Sequence, residues 1–124
     1  MKRTFAAAPF TTLRISLEIH PDIPALQAAY KIRAGWRDSG VQAFCFCRDG
    51  KGGIAAELHF ARDYMAPGVI AHEALHAALI LGRHIYVNPE EESGEELLAD
   101  TVQTIMDECL AAKRELRAST RRSK

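Results

Sequence analysis

The stretch from Ala66 to Gly82, Ala-Pro-Gly-Val-Ile-Ala-His-Glu-Ala-Leu-His-Ala-Ala-Leu-Ile-Leu-Gly, constrains this chain more than any other. Pro67 suits the first turn of a helix and Gly82 its C-terminal stop. Between Val69 and Leu81 the only polar side chains are His72, Glu73 and His76. A helix apolar on every side is expected to be buried, and a carboxylate buried there without a partner costs free energy. The three residues spell His-Glu-x-x-His. Four apart, the histidines stand one above the other on one helical face and can bind the same metal ion. Glu73, one position round, falls beside that ion, where the general base for a metal-bound water belongs. Two core histidines and a Glu bonded by accident of packing is the plainer account; three motif residues as the sole polar groups of an apolar helix favour a metal site.

A chain of 124 residues suits one domain with a modest core. Acidic and basic residues balance at 16 each, so the molecule as a whole offers no electrostatic attraction for nucleic acid. The charges are unevenly placed. Glu90, Glu91, Glu92, Glu95, Glu96 and Asp100 crowd together, whereas Lys113, Arg114, Arg117, Arg121, Arg122 and Lys124 make the end basic. A solvated helix end is the default reading of that basic cluster. No apolar run reaches membrane-spanning length, and the N-terminus lacks the apolar segment of a signal peptide, so a cytoplasmic protein with no membrane partner is expected. Three cysteines, Cys45, Cys47 and Cys109, fit reduced thiols better than a disulfide framework. Cys45 and Cys47 would share one face of a strand; small buried hydrophobes suit them better than a thiolate metal site.

In chain order, residues 1–10 read as a poorly ordered N-terminus. From Thr11 the pattern alternates, with Leu13, Ile15, Leu17 and Ile19 on one side and Arg14, Ser16, Glu18 and His20 on the other, as in a half-buried strand. Asp22 is a plausible cap for a helix through Leu26, Ala29 and Tyr30 towards Trp36. Val41 to Arg48 and Ile54 to Ala61 read as two more strands joined through Asp49-Gly50. The third strand directs Ile54, Ala56, Leu58 and Phe60 one way and Glu57 and His59 the other, and would be the edge on which an extended peptide could lie. Leu98, Val102, Ile105, Met106 and Cys109 recur at helical spacing and predict a last helix from about Gly94 to about Arg117. The expected fold is α+β, a small antiparallel or mixed three-stranded sheet packed on three helices. It forms a single domain over residues 11–117, followed by a basic flexible tail, residues 118–124.

A catalytic zinc site usually adds a third protein ligand to its two histidines and keeps a position open for water. The acidic start of the last helix is the obvious source, and within it Glu96-Leu-Leu-Ala-Asp100 is a Glu-x-x-x-Asp. With His-Glu-x-x-His followed by this motif, the span Ala66 to Asp107 resembles the gluzincin metallopeptidases, in particular small prokaryotic ones that include repressor-cleaving peptidases. The resemblance implies a zincin-like core in which His72, His76 and Glu96 bind zinc (Zn2+), Glu73 is the base and Asp100 orients His72 through its other ring nitrogen. Glu95 and Glu92 remain alternatives for the third ligand. Ser93-Gly-Glu-Glu96 is a capping-box pattern that would give Glu96 a structural task, and Glu95 lies nearer the apolar stripe. His84 follows His76 too closely for the longer three-histidine motif of metzincins.

The activity so implied is hydrolysis of a peptide bond by a metal-bound water, with a protein or peptide substrate. Tyr86, His84, His59 and Arg83 are candidate donors to the oxyanion. The alternative is a non-catalytic zinc-binding interaction domain that keeps the peptidase fold, against which an intact Glu73 argues. A third reading, nucleic-acid binding through the basic end, has only the local charge in its favour.

Overall fold

The computed structural model describes residues 1–7, 13–34, 41–48, 51–85 and 87–122, with the backbone alone for 33, 34, 51 and 122. Three of the expected strands form: β2 (Arg14–His20), β3 (Ala43–Cys47) and β4 (Ile54–Ala61). They are joined by a strand the sequence reading left out, β1 (Lys2–Ala6), which pairs antiparallel with β2 and sets Phe5 opposite Ile15. The sheet is therefore four-stranded and mixed, in the order β1-β2-β4-β3. β1 escapes notice because it is short and carries Lys2, Arg3 and Thr4 on an exposed edge; Phe5 is its one large buried side chain. Arg3 also pairs with Glu115, tying this edge to the last helix.

β2 and β4 run parallel, so the chain crosses from one to the other through α1 (Ile23–Ala34) and β3. Asp22 caps α1, its Oδ1 accepting from the Ala25 N–H at 2.9 Å. The crossover places helices on both faces of the sheet. Ile15, Leu17, Ile19, Leu58 and Phe60 face α2 (Pro67–His84) and α3 (Glu92–Arg122), and form the main core with Ile70, Ala74, Ala77, Ala78, Leu81, Ile105 and Cys109. Leu26, Phe44 and Ala61 form a smaller core under α1.

Two expectations about exposure are corrected by this layering. β4 is not the edge: it lies between β2 and β3, and Ala55 to Ala61 are buried without interruption, because α1 covers the side that carries Glu57 and His59. The edge on that side is β3. Nor is α2 buried all round, since His72, Leu75, His76 and Leu79 are exposed. Its small residues Ala74, Ala77, Ala78 and Gly82 face the core.

α3 packs antiparallel to α2. Leu98 fills the space beside Gly82, where a Cβ would come within 3.0 Å of its Cδ2, and at the other end the Lys113 ammonium donates to the Met65 carbonyl at 2.7 Å. The buried stripe Leu98, Thr101, Ile105, Cys109, Ala112 matches the predicted periodicity. The helix starts two residues earlier than predicted and continues through Arg122, across most of the segment read as a flexible tail. No helix among the described residues is long and apolar enough to cross a membrane.

Candidate metal centre

His72, Glu73 and His76 come together as the spacing requires, each offering one ligand atom within 4.8 Å of the others. The two imidazoles are exposed, with ring centroids 4.9 Å apart. Glu73 is different: it is 6% exposed, wedged between α2 and β3. Its Oε2 is buried with no hydrogen-bond partner among the described residues, and a side-chain oxygen sealed from water in that way costs about 1–3 kcal/mol. Burial also pushes the Glu73 carboxyl above its ordinary 4.5, opposed only in part by His72 and His76. A carboxylate beside two exposed imidazoles, unsatisfied and reluctant to ionise, is poised to take up a proton.

Two connected recesses flank the group. One, of about 400 Å³, is lined by Gln42, Ala43, Val69, His72 and Glu73; the other, of about 490 Å³, by Cys45, Tyr30, Glu73, His76 and Arg83. They share Val41, Ala43 and Glu73, so a groove runs between edge strand β3 and α2 with the motif at its middle. Cys45 lines it too, and its thiol is pushed up to about 12 by burial and then by Glu73.

The acidic start of α3 does not join the motif. Glu92, Glu95, Glu96 and Asp100 are all exposed, and none has a ligand atom in the group around His72 and His76. The reason is the helix register. With Leu98 level with Gly82 and the helices antiparallel, Glu96 lies beyond Gly82 from His76, about 12 Å along the axis at 1.5 Å per residue. Asp100 makes no bond to His72. Ser93 forms no capping box: α3 begins at Glu92, and the Glu95 N–H donates to the Glu91 carbonyl at 2.9 Å. Of the candidate oxyanion donors, Arg83 lines the groove, His84 Nε2 lies 3.3 Å from the Arg48 carbonyl, His59 is on the opposite face of the sheet, and Tyr86 lies outside the described residues.

That opposite face holds a second polar group that the sequence reading missed. His20 and His59 are both buried, with His20 Nε2 2.9 Å from His59 Nδ1. His59 Nε2 lies 2.8 Å from Glu57 Oε1, and Arg48 donates to Glu57 Oε2 at 2.6 Å. Glu18 approaches His20 Nδ1 at 3.7 Å. A carboxylate paired with Arg48 accepts, so His59 donates to it from Nε2 and receives the His20 proton on Nδ1. Glu18, His20 and His59 are close enough to hold a metal, yet their geometry is that of a hydrogen bond. The imidazole planes lie within 18° and the centroids are 5.2 Å apart, close to the largest separation a 2.9 Å contact allows. The two nitrogens therefore face each other across one proton instead of converging on a third point. The available signal was the parallel pairing of β2 with β4, which puts Glu18 beside His59.

No family model, curated protein or solved structure matches the chain.

Proposed function

We propose that this chain is a zinc-dependent metallopeptidase of gluzincin type, in which His72 and His76 hold the metal and Glu73 is the general base for hydrolysis of a peptide bond. The observation that carries the reading is the buried, partnerless Oε2 of Glu73 beside two accessible imidazoles, at the middle of a groove bounded by an edge strand. A structural site would satisfy or omit that carboxylate. The donor set suits zinc, which when bound would supply a Lewis acid for a carbonyl and acidify a water.

The protein's own part follows from its geometry. β3 pairs with β4 along one side, and its other side can take an extended peptide through main-chain hydrogen bonds. Glu73 accepts a proton from the attacking water and returns it to the leaving amine, held in place by its burial between α2 and β3. In the register described above the site offers two histidine nitrogens, while the resemblance assigns a third ligand to Glu96. Metal content of the Glu96→Ala variant decides between them: zinc retained leaves the remaining positions to water and substrate, zinc lost makes Glu96 a ligand.

Elemental analysis and a peptide-cleavage screen test the whole. Wild-type protein is expected to carry one zinc, His76→Ala to lose it, and Glu73→Gln to keep it while losing about 10²- to 10⁴-fold in rate. Full activity in Glu73→Gln would overturn the proposal.

A further inference from the structure

A third cavity, of about 680 Å³, lies where the start of α2 meets the end of α3. It shares Gln42 and Val69 with the recess that contains His72 and Glu73, so it continues the groove past the N-terminal end of α2. Four cations line it: Arg62, Lys113, Arg117 and Arg121. Among the described residues Asp63 is its one acidic lining residue, and Arg62 already lies 3.6 Å from it. Lys113 is held in place by the Met65 carbonyl. Arg117 and Arg121 make no hydrogen bond or ion pair with any described residue. The basic end of the chain is thus not spread evenly in solvent; part of it is gathered round a recess, with guanidinium groups suited to paired recognition of a carboxylate.

We infer that this cavity is a specificity subsite that binds an acidic side chain of the peptide substrate, read chiefly by Arg117 and Arg121. The inference rests on the peptidase reading for what enters the groove. With Leu98 level with Gly82, Arg117 and Arg121 lie about 16 to 22 Å along the axis from the level midway between His72 and His76, past the start of α2, which an extended peptide covers in about five to seven residues. The preferred substrates therefore carry Asp or Glu about five to seven residues from the scissile bond, on the side towards the α2 N-terminus. A peptide fits better than a nucleic acid: the positive charge sits in a recess continuous with the groove, the chain has no net charge, and the start of α3 is densely acidic.

Two measurements test this with one set of probes, fluorescein-labelled nonapeptides of otherwise fixed sequence carrying Glu, Gln or Lys at each position in turn. Binding is followed by anisotropy on zinc-loaded Glu73→Gln protein at low salt, and cleavage on the protein with Glu73 intact. The Glu peptides are expected to bind about ten-fold or more tightly than the Lys peptides at one position. Arg117→Glu with Arg121→Glu should reverse that order, while Arg114→Glu, a single charge reversal of the same kind on an exposed residue outside the cavity, should leave it unchanged. High salt should reduce the preference. Equal binding of the Glu and Lys peptides, or a preference that survives the double reversal, overturns the inference even if every peptide is cleaved. Tighter binding of an unrelated single-stranded oligonucleotide, lost in the double variant with no acidic preference among the peptides, also overturns it. Acidic preference without cleavage sustains the subsite and counts against the peptidase reading alone.

Discussion

The two faces of the sheet carry polar groups built from the same residue types, and they differ in one respect. Under α1, Glu57, His59 and His20 are buried and joined end to end, with Arg48 closing the chain. Across the sheet, His72 and His76 are open to solvent and the carboxylate between them keeps one buried oxygen without a partner. A saturated network has its hydrogen-bonding capacity used within the protein and chiefly holds strands together. An unsaturated one stores a cost that something else must relieve. The difference sets a group closed on itself against one left open to a ligand, as the proposed function requires.

The comparison breaks most visibly where the saturated group is cut. His59→Leu removes the buried link that joins Glu57 to His20 and is expected to cost about 3 kcal/mol, read by urea denaturation. A loss below about 1 kcal/mol would mean the network is ornamental and the contrast is wrong. Glu73→Gln should move stability the other way. In zinc-free protein, at pH values where Glu73 is ionised, it removes a charge from a buried site and should gain about 1 kcal/mol. The sign with pH follows from the raised pKa of Glu73. Its burial favours the protonated form, so the stability linked to that proton is present below the ordinary 4.5 and lost as pH rises through the folded value. The advantage of the Gln variant is therefore largest above the folded pKa of Glu73 and fades on acidification towards 4.5, which thermal melts across that range would detect.

His72→Ala and His76→Ala are expected to change zinc-free stability by less than about 0.5 kcal/mol while abolishing metal binding, because both side chains are exposed. Equal losses of stability and metal would make these histidines structural. The mildest test concerns the thiols. Burial holds Cys45 and Cys109 at about 12, whereas Cys47 is exposed, so a disulfide-exchange reagent at pH 8 should find one fast thiol of three in native protein. Fast reaction at Cys45 would show the groove to be wetter than its burial implies.

Much of this is legible in the order of residues alone. The alternation through Ile15, Leu17 and Ile19 marks β2, Asp22 marks the start of α1, and Pro67 that of α2. β1 was hidden because a five-residue edge strand with one large buried side chain has too little pattern to distinguish it from a tail. β4 reads as a sheet edge and turns out to be central because alternation reports which residues share a face, and says nothing of which strand pairs alongside or whether a helix covers that face.

The sequence by itself determined the local chemistry: a helical repeat of 3.6 puts His72 and His76 on one face with Glu73 beside them, and no tertiary contact is needed for that. Tertiary structure alone decided which of those groups meets water, which oxygen is left without a partner, and how far Glu96 stands from the histidines. Those outcomes depend on the register of α3 against α2, set where Leu98 packs on Gly82, and on β3 taking the edge beside Glu73. Contacts between segments distant in the chain are fixed by shape and packing, to which the periodicity of either segment alone is blind.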